Sequence, residues 1–215
     1  MSLPKGWLCK HYHNAKMHPA CAKAAIKPEK VAILDIESSG ISSAVYGVVY
    51  SFALLELDKD YKPAKLIFRS VTAKDMHNHM MDRRVVLELV KRLNDYTKIV
   101  THYGNKFDLP WLYTRALRWG ADKYWPEPKT VHLVDTWILA KPHTLMSRRL
   151  GSLEDLMTGK TDKTFMDGRT WESVMAGRES GLAWLKDHNV KDVYSTYKVY
   201  LRLRRWESPL SRRFI

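Results

Sequence analysis

A chain of 215 residues is long enough for one α/β domain with a full core and short for two. Apolar residues make up 45% of it, which excludes wholesale disorder, and 36 Lys plus Arg against 23 Asp plus Glu leave a net charge of +13, which favours nucleic acid over an anionic membrane as partner. No apolar run reaches the roughly 18 residues of a membrane span, the N-terminus lacks a signal-peptide core, and two cysteines make no secreted framework, so the expected setting is a reducing, cytoplasmic compartment.

Residues 1–30 hold six Lys, one Glu, three Pro and both cysteines. They read as a basic arm that precedes a domain spanning 31–215. Within the arm, Cys9, His11, His13, His18 and Cys21 offer short chelate spacings. Any two Cys with two His can form a tetrahedral zinc knot, with Cys9, His11, His18 and Cys21 as the expected set. The leading reading is a basic arm with incidental histidines, in which Lys5, Lys10, Lys16, Lys23 and Lys27 track a phosphate backbone.

Regular structure begins at Val31. VAILDIE is a short apolar run ending in acids, which predicts a buried strand. VYGVVYSFALLELD (45–58), the turn DKDYKP and AKLIFRSV predict two antiparallel strands. DRRVVLELVKRLND has helical spacing at Val85, Val86, Leu89, Val90 and Leu93. TKIVTHYG predicts a strand broken at Gly104, followed by a helix from Leu109 to Trp119 that tolerates Pro110 in its first turn. VHLVDTWILAK predicts a strand and a helix start, and GSLEDLMTG a helix capped by Ser152. DGRTWESVMAG and the stretch from Glu179 to Trp206 predict helices to the end. The order is that of an α/β domain whose mixed sheet has an antiparallel flank and helices packed on it.

Four acids fall where acids are costly unless used. Asp35 and Glu37, at i and i+2 on the first strand, leave on one face. Asp108 follows a strand and a glycine turn in HYGNKFDLPWL, and Asp192 lies in HNVKDV, one helical turn after His188. Clustered carboxylates repel, so cations must neutralise them, and oxygen ligands select Mg²⁺ or Mn²⁺. Two such ions about 3.5–4 Å apart can hold an attacking water and a leaving 3′-oxygen. Asp35 is expected to bridge them, with Glu37 and Asp192 completing one site, Asp108 supporting the other, and His188 holding or deprotonating the water. A lone D-x-E carries almost no weight, and the three segments matter together.

Those segments, LDIESSG, HYGNKFDLPWL and HNVKDVYSTY, resemble in order the three exonuclease motifs of the DEDD superfamily, which includes proofreading domains of DNA polymerases. The likeness is greater to stand-alone exonucleases of the ribonuclease H-like superfamily and covers about residues 31–206. It implies a ribonuclease H-like mixed central sheet with flanking helices, and a metal-dependent 3′→5′ exonuclease acting on nucleic acid, with single-stranded DNA 3′ ends the expected substrate. Two positions depart from the pattern. His188 stands four residues before the last acid, where relatives carry Tyr, with Asp187 where others carry His. Tyr103 stands where many relatives carry Asn.

The resemblance also brings Ser38, Ser39 and Gly40 toward the terminal nucleotide, although an ordinary strand-ending turn accounts for them equally. Tyr103, Phe107 and Trp111 can stack on an unpaired base, but Phe107 and Trp111 suit a core. Asp135 is expected to cap a helix rather than bind metal, and His102 to be structural. Arg83, Arg84, Arg148, Arg149, Arg204 and Arg205 are phosphate candidates for which a solvated face is the simpler reading. An exoribonuclease and a non-catalytic nucleic-acid-binding module are the competing functions, since no sensor of the 2′-hydroxyl is recognisable.

Overall fold

A computed structural model describes residues 8–9, 12–19, 21–22, 29–40, 44–78, 80–128, 130–143, 147–165, 167–207 and 213–214. Strands β1 (Val31–Ser38), β2 (Val49–Leu57), β3 (Pro63–Ser70), β4 (Lys98–Thr101), β5 (His132–Asp135) and β6 (Arg213–Phe214) form one sheet in the order β3-β2-β1-β4-β5-β6. β1, β2 and β3 pair antiparallel, as expected of two successive reversals. β4 and β5 continue parallel to β1, and β6 closes the edge antiparallel to β5. The helices are α1 (Ala73–Met76), α2 (Arg83–Leu93), α3 (Asp108–Arg118), α4 (Thr136–Ala140), α5 (Leu150–Thr158), α6 (Gly168–Met175) and α7 (Glu179–Leu203).

β1 is apolar throughout its first half because both faces are covered. Its even residues, Ala32, Leu34 and Ile36, pack with Phe52 and Leu54 of β2 and with Val85, Val86 and Leu89 of α2. Its odd residues, Val31 and Ile33, face the other core, built from Leu55, Val100, Leu153 of α5, and Val193, Val199 and Tyr200 of α7. Continuing the odd series gives Asp35 and Glu37, so the catalytic candidates extend an apolar stripe at the point where it emerges under α7. Helix α7, at 25 residues about 37 Å long, spans the sheet and brings its own polar residues to the same point.

Three expectations are corrected. The last helix does not run to the C-terminus: it ends at Leu203, a short 3₁₀ turn covers Arg204–Trp206, and β6 follows. Ser152 does not cap α5, which starts two residues earlier with Arg149 at the cap position and no side-chain cap bond. A short helix, α1, was absent from the expected order; Thr72 and Asp75 close it with a reciprocal capping box. Among the described residues no helix is long and apolar enough to cross a membrane.

Candidate active site

β1, its parallel neighbour β4 and the parallel strand β5 beyond it all end on one side of the sheet, which is where open α/β sheets place their sites. The β1–β2 register shifts between Glu37 and Ser38. The extra residue is Tyr50 of β2, which falls between the partners of Glu37 and Ser38, and such a bulge bends its strand and increases the local twist beside the two acids. Asp35 is fixed from α7: Asn189 donates from Nδ2 to Asp35 Oδ2 at 2.5 Å, while its Oδ1 accepts from Ser51 Oγ at 3.0 Å. Asn189 is fully buried, so one amide links the centre of β2 to the first acid.

Asp108 arrives from the loop after β4. Gly104 allows that loop to turn closely, since a Cβ there would lie 2.3 Å from Thr101 Oγ1. Asp135, at the end of β5, accepts from the backbone N–H of Tyr103 (2.9 Å), Asn105 (3.1 Å) and Trp137 (2.9 Å). It caps α4 and clamps the β4–α3 loop at once, the supporting role expected of it. Asp108 then begins α3, and its Oδ1 accepts from Ile36 N–H at 3.1 Å, which places it beside Asp35 and Glu37.

The third component comes from α7 and a loop over it. His188 Nε2 lies 3.5 Å from Glu37 Oε1 and 3.9 Å from Asp192 Oδ2. Its other nitrogen meets Thr164 Oγ1 at 2.6 Å, and its ring stacks on Trp184 at 4.6 Å between centroids. The helical spacing therefore does bring His188 and Asp192 to one point, while Asp187 turns outward to Lys191 at 2.6 Å. Lys163 was not foreseen. Its ammonium pairs with Asp192 Oδ2 and lies among the acids. The loop that carries Lys163 and Thr164 is held by Glu154 of α5. Buried Glu154 accepts from Thr161 Oγ1 (2.9 Å), Asp162 N–H (3.2 Å), Ser195 Oγ (2.8 Å) and Lys198 Nζ (2.7 Å).

These neighbours impose strong electrostatics. Burial, then repulsion by Glu37, Asp108 and Asp192, holds the Asp35 carboxyl well above its ordinary range. Burial and Asp192 push Glu37 up to about 8, and burial pushes Asp108 up to about 7 against the pull of the Ile36 N–H. Burial lowers His188 more than Asp192 raises it. Burial would also lower Lys163, but Asp192, Asp35 and Glu37 outweigh it and raise the ammonium's pKa. The ligand atoms of Glu37, His188 and Asp192 lie within 4.8 Å of one another. Two like charges at that distance repel by about 3–4 kcal/mol at an effective dielectric near 20, a large share of a domain's stability. One ammonium cannot offset four carboxylates. Asp192 Oδ1 is buried and accepts no hydrogen bond among the described residues. An orphaned carboxylate oxygen inside an all-oxygen acid cluster suits a hard divalent cation.

The remaining candidates divide. Ser38 is buried and donates to the Gly40 carbonyl at 3.2 Å, and Ser39 Oγ accepts from Val48 N–H at 2.9 Å, so both hydroxyls hold the turn after β1. Trp111 is buried in the core, with Phe107 partly buried against it at 6.0 Å. Tyr103 is 40% exposed with φ 65°, the left-handed conformation that Asn tolerates and Tyr does not favour. Its ring meets Trp137 edge-on at 5.2 Å, and the Arg148 guanidinium covers the same indole at 3.6 Å. His102 bonds Thr136 Oγ1 at 2.9 Å, and burial with the nearby Lys163 lowers it to about 4, the structural histidine expected. Arg84 is tied to Asp75 at 2.8 Å, and Arg204 and Arg205 cover Tyr61 and Trp206. In the N-terminal cluster the structure brings Cys9 and His18 of the expected set together with His13; His11, with Lys5, Lys10, Lys23 and Lys27, lies outside the described residues.

No curated protein matches the chain. Among solved structures it is similar to the family B DNA polymerase from the hyperthermophilic archaeon Pyrobaculum calidifontis, with a TM-score of 0.63 and 18% identity. That similarity covers 83% of this chain and 25% of the polymerase, so the chain spans about a quarter of that protein's length and shares its fold there. The model of the RNase H superfamily matches residues 32–204, which include all four acids, His188 and Lys163. With most of its length matched and its sheet and helices in the corresponding α/β arrangement, the chain belongs to the RNase H superfamily of nucleases.

Proposed function

We propose that the chain is a metal-dependent 3′→5′ exonuclease that hydrolyses phosphodiester bonds, with single-stranded DNA ends as its favoured substrate. The observation that carries this reading is the meeting of Glu37, Asp192 and His188 within 4.8 Å, beside Asp35 and Asp108, where β1 emerges under α7. The likeness to one quarter of a DNA polymerase supports the choice of DNA, because the sequence motifs resemble those of proofreading domains. Asp35, Glu37, Asp108 and Asp192 would hold two Mg²⁺ or Mn²⁺ ions, which when bound supply positive charge against the acids and polarise the scissile phosphate.

The chain's own residues do the positioning. Asn189 and Ser51 fix the Asp35 carboxylate, and the Ile36 N–H fixes Asp108. His188 presents Nε2 between Glu37 and Asp192, where it can orient a water and take its proton, while Thr164 holds Nδ1. Lys163 carries a fixed positive charge to the edge of the acids, where it can meet a phosphate oxygen or the negative charge that develops on it. Tyr103 offers an exposed ring for a terminal base, with Trp137 edge-on against it, and the Ser38–Ser39 turn brings backbone close to the same end of β1.

End-labelled single-stranded DNA, duplex DNA and RNA, incubated with Mg²⁺, Mn²⁺ or chelator, test this. Mononucleotides should leave from the 3′ end of DNA only when divalent ion is present, and Asp35→Asn should abolish their release. Undiminished cutting in excess EDTA would overturn the metal-dependent reading, and a preference for RNA would replace the substrate. The pairing of Lys163 with Asp192 gives a second reading, a binding module in which this lysine occupies the place of a cation at one of the four acids. That reading expects tight binding and no turnover with any metal.

A further inference from the structure

We propose that Cys9, His13, His18 and Cys21 are the four ligands of a separate structural zinc site. Ligand atoms of Cys9, His13 and His18 lie within 4.8 Å of one another. Cys9 Sγ and His18 Nδ1 are 3.2 Å apart, and the two imidazoles meet edge to face at 4.9 Å with an 83° angle, so their nitrogens converge without stacking. Around a tetrahedral zinc, bond lengths of about 2.0–2.3 Å put neighbouring ligand atoms about 3.3–3.8 Å apart. The three groups are therefore close to ligating positions with only small adjustments.

Local backbone structure builds that convergence. Cys9 N–H donates to the His13 carbonyl at 2.9 Å and Tyr12 N–H to the Cys9 carbonyl at 2.8 Å, closing a tight turn with Tyr12 at φ 60°. Asn14 Oδ1 accepts from Lys16 and Met17 N–H, both at 3.0 Å, and starts a helical turn. The bonds His18 N–H to Asn14 carbonyl and Ala22 N–H to His18 carbonyl continue it. Cys21 follows His18 by three residues on that turn, the spacing that puts two side chains on one side, and it is buried. Its thiol lies outside the group formed by the other three, so Cys21 would complete the set as fourth ligand by a local adjustment of its side chain.

The burial pattern is the independent argument. Among the described residues from 8 to 22, those buried are Cys9, Cys21 and Ala22. The large apolar side chains point outward instead: Leu8 is 53% exposed, Tyr12 84% and Met17 64%. A segment folded by hydrophobic burial would do the opposite. This one buries its thiols and keeps the His13 and His18 imidazoles half-buried, as small metal-folded modules do. Soft thiolate and imidazole donors select zinc, whereas the oxygen cluster under α7 selects Mg²⁺ or Mn²⁺, so the two centres differ in chemistry.

Metal analysis of the full-length protein, purified without chelator and refolded with Zn²⁺, reads the site directly. About one tightly held zinc per chain is expected, and Co²⁺ in its place should give the strong visible bands of a tetrahedral site with thiolate charge-transfer absorption. Cys9→Ser, His13→Ala and His18→Ala should each lower the retained zinc at least about tenfold, whereas His11→Ala and Asp35→Asn should keep it. A Co²⁺ spectrum without thiolate bands overturns the site even if the variants fold poorly. Zinc lost in Asp35→Asn but kept in Cys9→Ser would move the metal to the acid centre. Absence of zinc with no titratable thiols would mean that Cys9 and Cys21 are joined as a disulfide, which also ends the proposal.

Discussion

His188 sits four residues before the last acid, and its place on the helix sets its reach. An α-helix puts positions i and i+4 on one face, and β1 puts Glu37 opposite them, so Nε2 ends 3.5 Å from Glu37 and 3.9 Å from Asp192. His188→Ala should lower kcat by roughly 10²–10⁴-fold if the ring orients and deprotonates water. His188→Tyr should restore part of the rate. A metal titration of the Ala variant separates this role from ligation: an unchanged midpoint fits a water-holding group, and a strongly raised one makes His188 a ligand. The acids and this histidine were legible because each stands where polarity contradicts its surroundings: at the end of an apolar strand, after a glycine turn, or at helical spacing. Lys163 was not, because a lysine in GKTDKTF looks like any solvated loop residue and acquires meaning only when the loop folds onto Asp192. Asn189 was hidden likewise, its role resting on contacts with Ser51 and Asp35 that are distant in sequence.

At the scale of elements, the strand and helix periods told most of the story, and the errors fall where period carries no information. β6 has two residues and pairs only through Leu133 and His132, too short to show alternation. The start of α5 was misplaced because Ser152 has the chemistry of a cap while the backbone already turns at Leu150. The α5–α6 connection, which supplies Lys163 and Thr164, is gathered largely by one buried side chain, Glu154. Burial raises the Glu154 carboxyl, but the bonds from Lys198, Ser195, Thr161 and Asp162 N–H outweigh it and the net pKa is depressed. A carboxyl depressed in the folded state stabilises above its unfolded pKa, about 4.3 for Glu, and that contribution fades as the pH falls through the folded value. Glu154→Gln should therefore lower stability by about 1–3 kcal/mol near neutral pH. The gap from wild type, measured by urea unfolding from about pH 7 down to about pH 2, should stay nearly constant above the unfolded pKa and narrow below about pH 4. A gap that is flat or widens on acidification would show that the Glu154 charge does not hold this loop.

Across the whole molecule, the net charge of +13 meets a site of repelling acids, and the two must be reconciled in how substrate binds. The basic residues are not interchangeable. Arg84 is tied to Asp75 and the Ser70 carbonyl, Arg115 forms a buried pair with Asp82, and Lys198 is shared by Glu154 and Asp162, so these cations are already used within the fold. Arg148 differs: its guanidinium covers Trp137 at 3.6 Å next to exposed Tyr103, and its Nη1 is buried without a hydrogen-bond partner among the described residues. A strand entering past Tyr103 would run beside the Arg148 guanidinium and offer it a phosphate oxygen. Each phosphate neutralised releases condensed counterions, so the logarithm of the binding constant should fall with the logarithm of salt at about 0.7 per contact for a single strand. About five contacts imply roughly a hundredfold loss between about 50 and 200 mM salt. Fluorescence titration of a labelled oligonucleotide in EDTA, which prevents cutting, measures the slope. Arg148→Ala should make it shallower by about the value of one contact, whereas Arg84→Ala should leave it nearly unchanged. Affinity that is flat with salt would mean the basic surface does not bind the substrate. An unchanged slope in Arg148→Ala alone would remove that arginine from the strand's path and leave the other cations to carry it.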